Sequence, residues 1–463
     1  MVGITDYTEY VPRCRLRRDL IAEQWGAKSI GGMKAVANFD EDALTQAFEA
    51  ARRLVERDGT KEPVDALYFA STTSPYWQRA VSSFIAAACD LPDEIETVDF
   101  GGSVRAGTSA LRAGLNAVSA GTNDRVIVTA ADVREGAPES AEEQLFGDAA
   151  AALRIGREGI VAELIAQASC ADDFLDEWRR DRDRYVTVLS SRYTTERGYV
   201  ANTVAVGQLA LKKAGIKPGD VALVALSSPD GRAHNTVAKN LGFDTEQVVE
   251  VPIKDGGLTG TPLPLTLLCK ALDAVTPGAL VLVIGHGDGA DALLFRATDN
   301  RHSLAIPVVN GSNLEIPSYT IYRKLRDFTR SMAEEGAVIS NIMFEKEERQ
   351  NVRLHGMRCS NCETVQFPPA PLCVACRNRE ALEEVRLAQR GTIFTYAIDY
   401  LYNAPNPPSV MAVIELEDGA RFYCQVTDVN PEKVQIGQRV ELTLRRFKEG
   451  GGMHHYYWKC RPV

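Results

Sequence analysis

Several features are missing from this sequence, and each absence removes a class of function. No uninterrupted apolar run reaches the roughly 18 residues that a bilayer-spanning helix requires. The opening MVGITDYTEYVPRCRL has no basic-then-apolar leader pattern, so a cytoplasmic protein with no membrane role is expected. A basic excess is missing too: 52 Lys and Arg against 62 Asp and Glu give a formal net charge of −10. That balance disfavours nucleic acid, and small molecules and proteins are the expected partners. There is no GxxxxGK phosphate loop and no low-complexity tract. Of ten cysteines, four fall in two CxxC pairs, while Cys14, Cys89, Cys170, Cys269, Cys424 and Cys460 are scattered. Such a distribution argues against a disulfide framework and for a metal site in a reducing compartment.

What is present reads as a multidomain globular chain. Its 463 residues make about three domains at roughly 150 residues each, and 45% apolar with 25% charged residues is ordinary globular composition. From residue 1 to about 300, buried-strand runs such as VDALYFAS (64–71), DRVIVTAADV (124–133), VALVALSS (221–228) and GALVLVIG (278–285) alternate with helical periodicity in DEDALTQAFEAARRLVER (40–57), VSSFIAAACDL (81–91) and YVANTVAVGQLALKKAG (199–215). The alternation predicts an α/β layered domain. FGDAAAALRIG (146–156) and HGDGADALLFRA (286–297) each run from a Gly-Asp turn into a strand, which marks a duplicated half of about 150 residues.

IPVVNGSNLEIPSYT (306–320) breaks the pattern, so a linker is placed at 301–319, with a helix over 320–336 after it. Within the next segment, 320–385, Cys359-x2-Cys362 and Cys373-x2-Cys376 are separated by ten residues. Each pair can turn two thiolates toward one tetrahedral cation, and four thiolates leave no open position, so a structural zinc is expected. From 386 to 463, β-rich runs punctuated by Gly and Pro predict a small closed barrel. HHYYW (454–458) is read as closing-strand packing, because a basic stripe with interleaved aromatics is lacking.

The ribbon, FPP, GTIFTY, PSVMAVIELEDGARFYCQV and YYWKCRP together resemble the rubredoxin-like zinc ribbon plus OB-fold domain that accompanies thiolases and acyl-CoA-handling enzymes, over about residues 317–463. Residues 1–300, with FGDAAAAL at the midpoint, RYTTERGY and the closing GDGA turn, resemble the thiolase superfamily in its bacterial and archaeal 3-hydroxy-3-methylglutaryl-CoA synthase branch. The resemblance implies a duplicated αβαβα fold, a homodimer of this domain and a coenzyme A thioester as ligand or substrate. It also implies Claisen-type chemistry, with a cysteine that takes the acyl group, a glutamate or histidine that manages protons and backbone amides at the oxyanion.

Carried over position by position, that machinery is largely absent. GGSVRAGTSALRAG (101–114) has the strand-turn-helix form that seats a nucleophile, yet the cysteine falls on Val104. The family's glutamate falls on Thr72 in ASTTSPYWQ, its histidine on Ser227 in LSSPDGRAH, and its asparagine near Gly256 or Gly257. Of the residues left at the expected pocket, His286 is a candidate acid or base and the Gly287 amide a candidate oxyanion donor. Asp230 and Tyr76 are candidate proton carriers, Ser103 lacks an activating base, and Arg105 is a candidate ligand for phosphate or carboxylate. Three functions fit. The chain is a non-catalytic subunit that holds acyl-CoA for a thiolase-type partner bridged by its OB domain, an aldolase acting on a 3-hydroxyacyl-CoA without a thiol, or a condensing synthase whose nucleophile has moved to Cys89 or Cys170.

Overall fold

Short alanine- and β-branched runs, apolar on both faces, form the interior strands of the first of two units. In this computed structural model residues 1–58, 63–189, 192–300, 313–328, 340–401, 407–450 and 452–463 are described. The first unit comprises Met1–Val36, Asp42–Ala86 and Leu91–Val308, and the second Ala37–Glu41, Ala87–Asp90 and Val309–Val463. The expected linker lies largely at 301–312, outside the described residues, as does the latter part of the helix expected over 320–336. The described part of that helix is Tyr319–Phe328.

Nine strands make up the main sheet of the first unit: β1 (Gly3–Tyr10), β2 (Ala66–Ala70), β3 (Glu96–Phe100), β4 (Val126–Asp132), β5 (Ala149–Gly156), β6 (Ala162–Ala171), β7 (Val221–Leu226), β8 (Leu280–His286) and β9 (Gly289–Ala297). Their order is β7-β8-β9-β6-β1-β5-β4-β2-β3. The repeat read from the sequence is visible here, because β5 runs antiparallel to β4 as β9 does to β8. Parallel pairs β2–β4 and β7–β8 complete the correspondence. Where the first half has β3, the second keeps a single parallel bridge, Val224 to Val248.

Side chains alternate across each strand, and this sorts the layers. Val281 and Val283 of β8 join Val126 and Val128 of β4 in a core that includes two apolar helices, α2 (Ala106–Ala120) and α4 (Leu263–Ala274). Leu280, Leu282 and Ile284 point the other way, against α3 (Ala201–Ala214) and the helix Ala233–Leu241. On the outer face of the first half, α1 (Ala43–Arg57) packs over β1, β4 and β5. The Asp42 carboxylate accepts the Thr45 amide at 3.0 Å while the Thr45 hydroxyl accepts the Asp42 amide at 2.9 Å, a reciprocal cap that contributes about 1 kcal/mol. The result is the expected αβαβα arrangement. α2 begins without a side-chain cap, and its first amide, that of Ala106, donates to the Ser103 carbonyl at 3.0 Å.

The second unit holds a three-stranded ribbon, Val365–Gln366, His355–Cys359 and Leu382–Arg386, and a closed five-stranded barrel. Barrel closure comes from Arg390–Asp399 pairing with Arg439–Gly450. Tyr456 and Trp458 of the HHYYW segment are fully buried, and the Trp458 indole N–H donates to the Val352 carbonyl at 3.1 Å, so the segment packs as a closing strand. Within the same unit Arg445 pairs with Glu41 at 2.7 Å and Asp428 at 2.5 Å, and Lys459 with Asp40 at 2.7 Å. No helix among the described residues is long and apolar enough to cross a membrane.

Candidate functional site

The start of α2, the end of β8, the 227–230 loop after β7 and the approach to α4 converge on a cavity of about 140 Å³. Its wall is completed by a two-stranded hairpin, Glu177–Trp178 with Thr187–Val188, and by a π-helical turn, Thr195–Val200. π turns are rare and recur at functional sites. Gly198 lets this turn approach, because a Cβ there would lie 2.7 Å from Phe174. Val104 lines the cavity and carries no nucleophilic atom, and its lining residues include no cysteine.

His286 and Asp176 face each other in this cavity, with Nε2 and Oδ2 3.7 Å apart. Burial pushes the His286 imidazole down to about 4, with Arg105 adding to the effect against the attraction of Asp288 and Asp172. Burial pushes the Asp176 carboxyl up to about 6, reinforced by Glu177 and Asp288. At neutral pH the imidazole is therefore neutral and the carboxylate is an unusually strong base for its type. The edge of the Tyr199 ring packs on His286 at 5.1 Å between centroids. Tyr199 donates its hydroxyl proton to the Ser227 carbonyl at 2.5 Å, and the Ser227 hydroxyl accepts the His286 amide at 3.1 Å. Asp176 went unmarked in the sequence. Its only signal is a place in an acidic loop, DDFLDEW, and the hairpin that turns it inward is two residues per strand.

Two buried carboxylates hold the surrounding strand ends. Asp132, fully buried at the end of β4, accepts from the hydroxyl of Ser71, both the amide and hydroxyl of Thr72 and of Thr73, and the amide of Thr261. Asp291, fully buried in β9, accepts from Arg112 at 2.7 Å, Ser109 at 2.9 Å and Ser169 at 2.6 Å. Arg134, which also lines the cavity, lies over the Phe146 ring at 3.8 Å and pairs with Glu177.

Several expectations change against this geometry. The Gly287 amide is not a free oxyanion donor, because it donates to the Gly289 carbonyl at 3.0 Å. Gly287 has φ +147 and a Cβ there would lie 2.5 Å from the Ser103 hydroxyl, so Ser103 sits beneath this turn and does not line the cavity. Arg105 does not line the cavity; it donates to the Cys170 carbonyl at 2.7 Å and lies 4.0 Å from Asp291. Thr72 is bound to Asp132, and Tyr76 lies against the Arg79 guanidinium at 5.2 Å, both off the cavity wall. Asp230 does line the cavity, but its carboxylate accepts the Arg232 and Ala233 amides at 2.8 Å and so caps the following helix. Neither Cys89, which is buried, nor Cys170 on β6 lines the cavity.

A wider cavity of about 790 Å³ shares Ala141, Leu145 and Asp230 with the first and is lined by Lys28, Arg232 and Lys254. In the second unit the sulfurs of Cys359, Cys362, Cys373 and Cys376 all lie within 4.8 Å of one another. Cys359 to Cys376 is 3.6 Å and Cys362 to Cys373 is 3.5 Å. A tetrahedral zinc with ~2.3 Å bonds separates its sulfurs by ~3.8 Å, so the cluster is consistent with structural zinc.

The hydroxymethylglutaryl-CoA synthase of Pyrobaculum neutrophilum is 30% identical over 342 residues, 70% of this chain and 97% of that protein. That of Methanosarcina acetivorans is 33% identical over 311 residues, 64% and 89% of the two chains. The chain belongs to the hydroxymethylglutaryl-CoA synthase family. Among solved structures, one titled MvaS in complex with 3-hydroxy-3-methylglutaryl coenzyme A superposes with a TM-score of 0.63 at 18% identity, covering 73% of this chain and 94% of its own. The 3-oxoacyl-[acyl-carrier-protein] synthase III of Aquifex aeolicus superposes at 0.57 with 22% identity, covering 64% and 100%, and shares the fold. Residues 211–296 match the C-terminal family model of that synthase. Residues 348–383 match the ChsH2 rubredoxin-like zinc ribbon domain and 384–445 the ChsH2 C-terminal OB-fold domain. This family member therefore joins a condensing-enzyme fold to a ribbon and barrel of the ChsH2 type.

Proposed function

We propose that the chain is the acyl-CoA-binding component of a thiolase- or aldolase-type assembly in the cytoplasm, acting on a C–C bond without ever carrying the acyl group itself. The observation that carries this reading is Val104 at the cavity wall, with no cysteine beside it. An acyl transfer through the enzyme needs a nucleophile and a base in reach of each other, and neither Cys89 nor Cys170 supplies one there. The wider cavity suits the coenzyme A carrier, with Lys28, Arg232 and Lys254 toward its phosphates. Zinc in the thiolate cluster would hold the ribbon and leave no coordination position for chemistry. The ribbon and barrel then bridge to a thiolase-type subunit, and the first unit forms a homodimer.

Affinity purification of the full chain from its native host tests the assembly. A stoichiometric thiolase-type subunit with its own cysteine is the expected companion, and a chain that purifies alone and catalyses acyl transfer refutes the reading. The aldolase reading remains beside it, favoured by the facing pair Asp176 and His286. The relocated-cysteine reading has no such support.

A further inference from the structure

We propose that Asp176 and His286 form an acid–base pair that moves the proton when the C2–C3 bond of a 3-hydroxyacyl-CoA is broken or made. This rests on the reading above that the cavity takes an acyl-CoA and leaves it on its carrier. The two side chains line the cavity beside Val104 and stand 3.7 Å apart. That gap is too long for a direct hydrogen bond. It admits one hydroxyl oxygen within the ~2.6–3.2 Å reach of both groups that proton transfer requires.

Both members are held. The Asp176 carbonyl accepts the Leu189 amide at 2.8 Å, and upstream Asp172 is bound by Arg197 at 2.6 Å and Asn202 at 2.8 Å. His286 is braced by Tyr199. The charged groups acting on the pair are Glu177, Asp288, Asp172 and Arg105, and Arg134, Glu142 and Asp230 share the cavity wall. Their sum with burial leaves the imidazole neutral and the carboxylate basic at pH 7. In cleavage, the neutral His286 ring N–H donates to the 3-hydroxyl oxygen and positions it, Asp176 takes the 3-hydroxyl proton, the C2–C3 bond breaks, and its electron pair enters the thioester as an enolate. The same proton then returns to C2, giving an acyl-CoA and a carbonyl compound. Addition is the reverse, and no oxidant or cofactor is needed. The cavity also bounds the acyl group. At about 140 Å³ it is close to the ~150 Å³ cavity that accommodates benzene, so a short branched chain or a single ring fits.

The test uses the purified full chain with acetyl-CoA, the smallest acyl group, in deuterated buffer. Mass spectrometry follows deuterium at C2 and calorimetry follows binding. Wild type is expected to exchange C2 protons at a rate that rises with pH through about 6. Asp176→Asn slows exchange by ~10²–10⁴-fold with binding retained, and His286→Phe also slows it. If acetyl-CoA binds but wild type gives no exchange, or if both folded variants exchange like wild type, the acid–base assignment is overturned while the binding reading stands. Failure of acetyl-CoA to bind at all refutes the binding reading and the assignment with it. Circular dichroism confirms folding, and Asp176→Glu, which keeps the carboxylate, is expected to retain part of the rate.

Discussion

Asp176→Asn should make the first unit more stable at neutral pH while destroying its proton chemistry. Burial, then Glu177, raises the Asp176 carboxyl from its ordinary 3.8 to about 6. Between those values the folded state binds a proton that the unfolded chain does not. Stability therefore falls as pH rises through this window, and the full penalty is present above pH 6. A shift of about two units corresponds to ~3 kcal/mol. The side chain keeps 22% exposure, and solvent screening reduces the figure to ~1.5 kcal/mol. Removing the charge should restore that amount at pH 7.5, a rise of roughly 3 °C in the unit's melting temperature, and nothing near pH 4. Scanning calorimetry at the two pH values checks this. A variant that melts lower at pH 7.5, or one whose gain persists at pH 4, refutes the assignment of a desolvated carboxylate held for function.

Further outcomes follow from neighbouring residues. His286 has the opposite sign: its folded value near 4 lies below the ordinary 6.5, so its contribution is full above pH 6.5 and lost as pH falls toward 4, by ~3 kcal/mol. His286→Phe should flatten that slope in denaturation measured across pH 4–7. Asp291→Ala removes the buried acceptor shared by Arg112 and the hydroxyls of Thr108, Ser109 and Ser169, of which only Thr108 is buried, and should cost ~1–3 kcal/mol, read by urea unfolding. Gly287→Ala forces a Cβ to 2.5 Å from the Ser103 hydroxyl and 2.9 Å from the Arg105 amide at φ +147. It should lower stability by ~2 kcal/mol or more and shift Val104 at the cavity. Zinc should be released by a strong chelator or by Cys362→Ser, with loss of the ribbon's hydrogen-exchange protection and about one metal ion per chain in the untreated protein.

Much of this architecture was legible because it depends on local pattern. Strand runs such as LVLVIG carry their own periodicity, the repeated Gly-Asp turns expose the duplication, and paired CxxC spacings dictate where sulfurs meet. Val104 was legible too, since a missing nucleophile is a matter of identity at one aligned position. What escaped the sequence depends on tertiary approach. Asp176 becomes a functional candidate only when a hairpin of two-residue strands folds it against His286. Arg105 and Thr72 read as cavity residues in the sequence, but the fold places them beside two buried carboxylates, Asp291 and Asp132, and off the cavity wall. The Gly287 amide failed as an oxyanion donor because the left-handed turn closes it onto Gly289, which no spacing rule reveals. Tyr76 packs against Arg79 and does not line the cavity.

The central claim, that an acyl group entering this cavity remains on coenzyme A, is tested most directly by intact-protein and peptide mass spectrometry after incubation with acetyl-CoA. The expected spectrum shows unmodified peptides around Val104, Cys89 and Cys170. An acetyl group found covalently attached to any cysteine of the chain, formed at the rate of turnover, would contradict it.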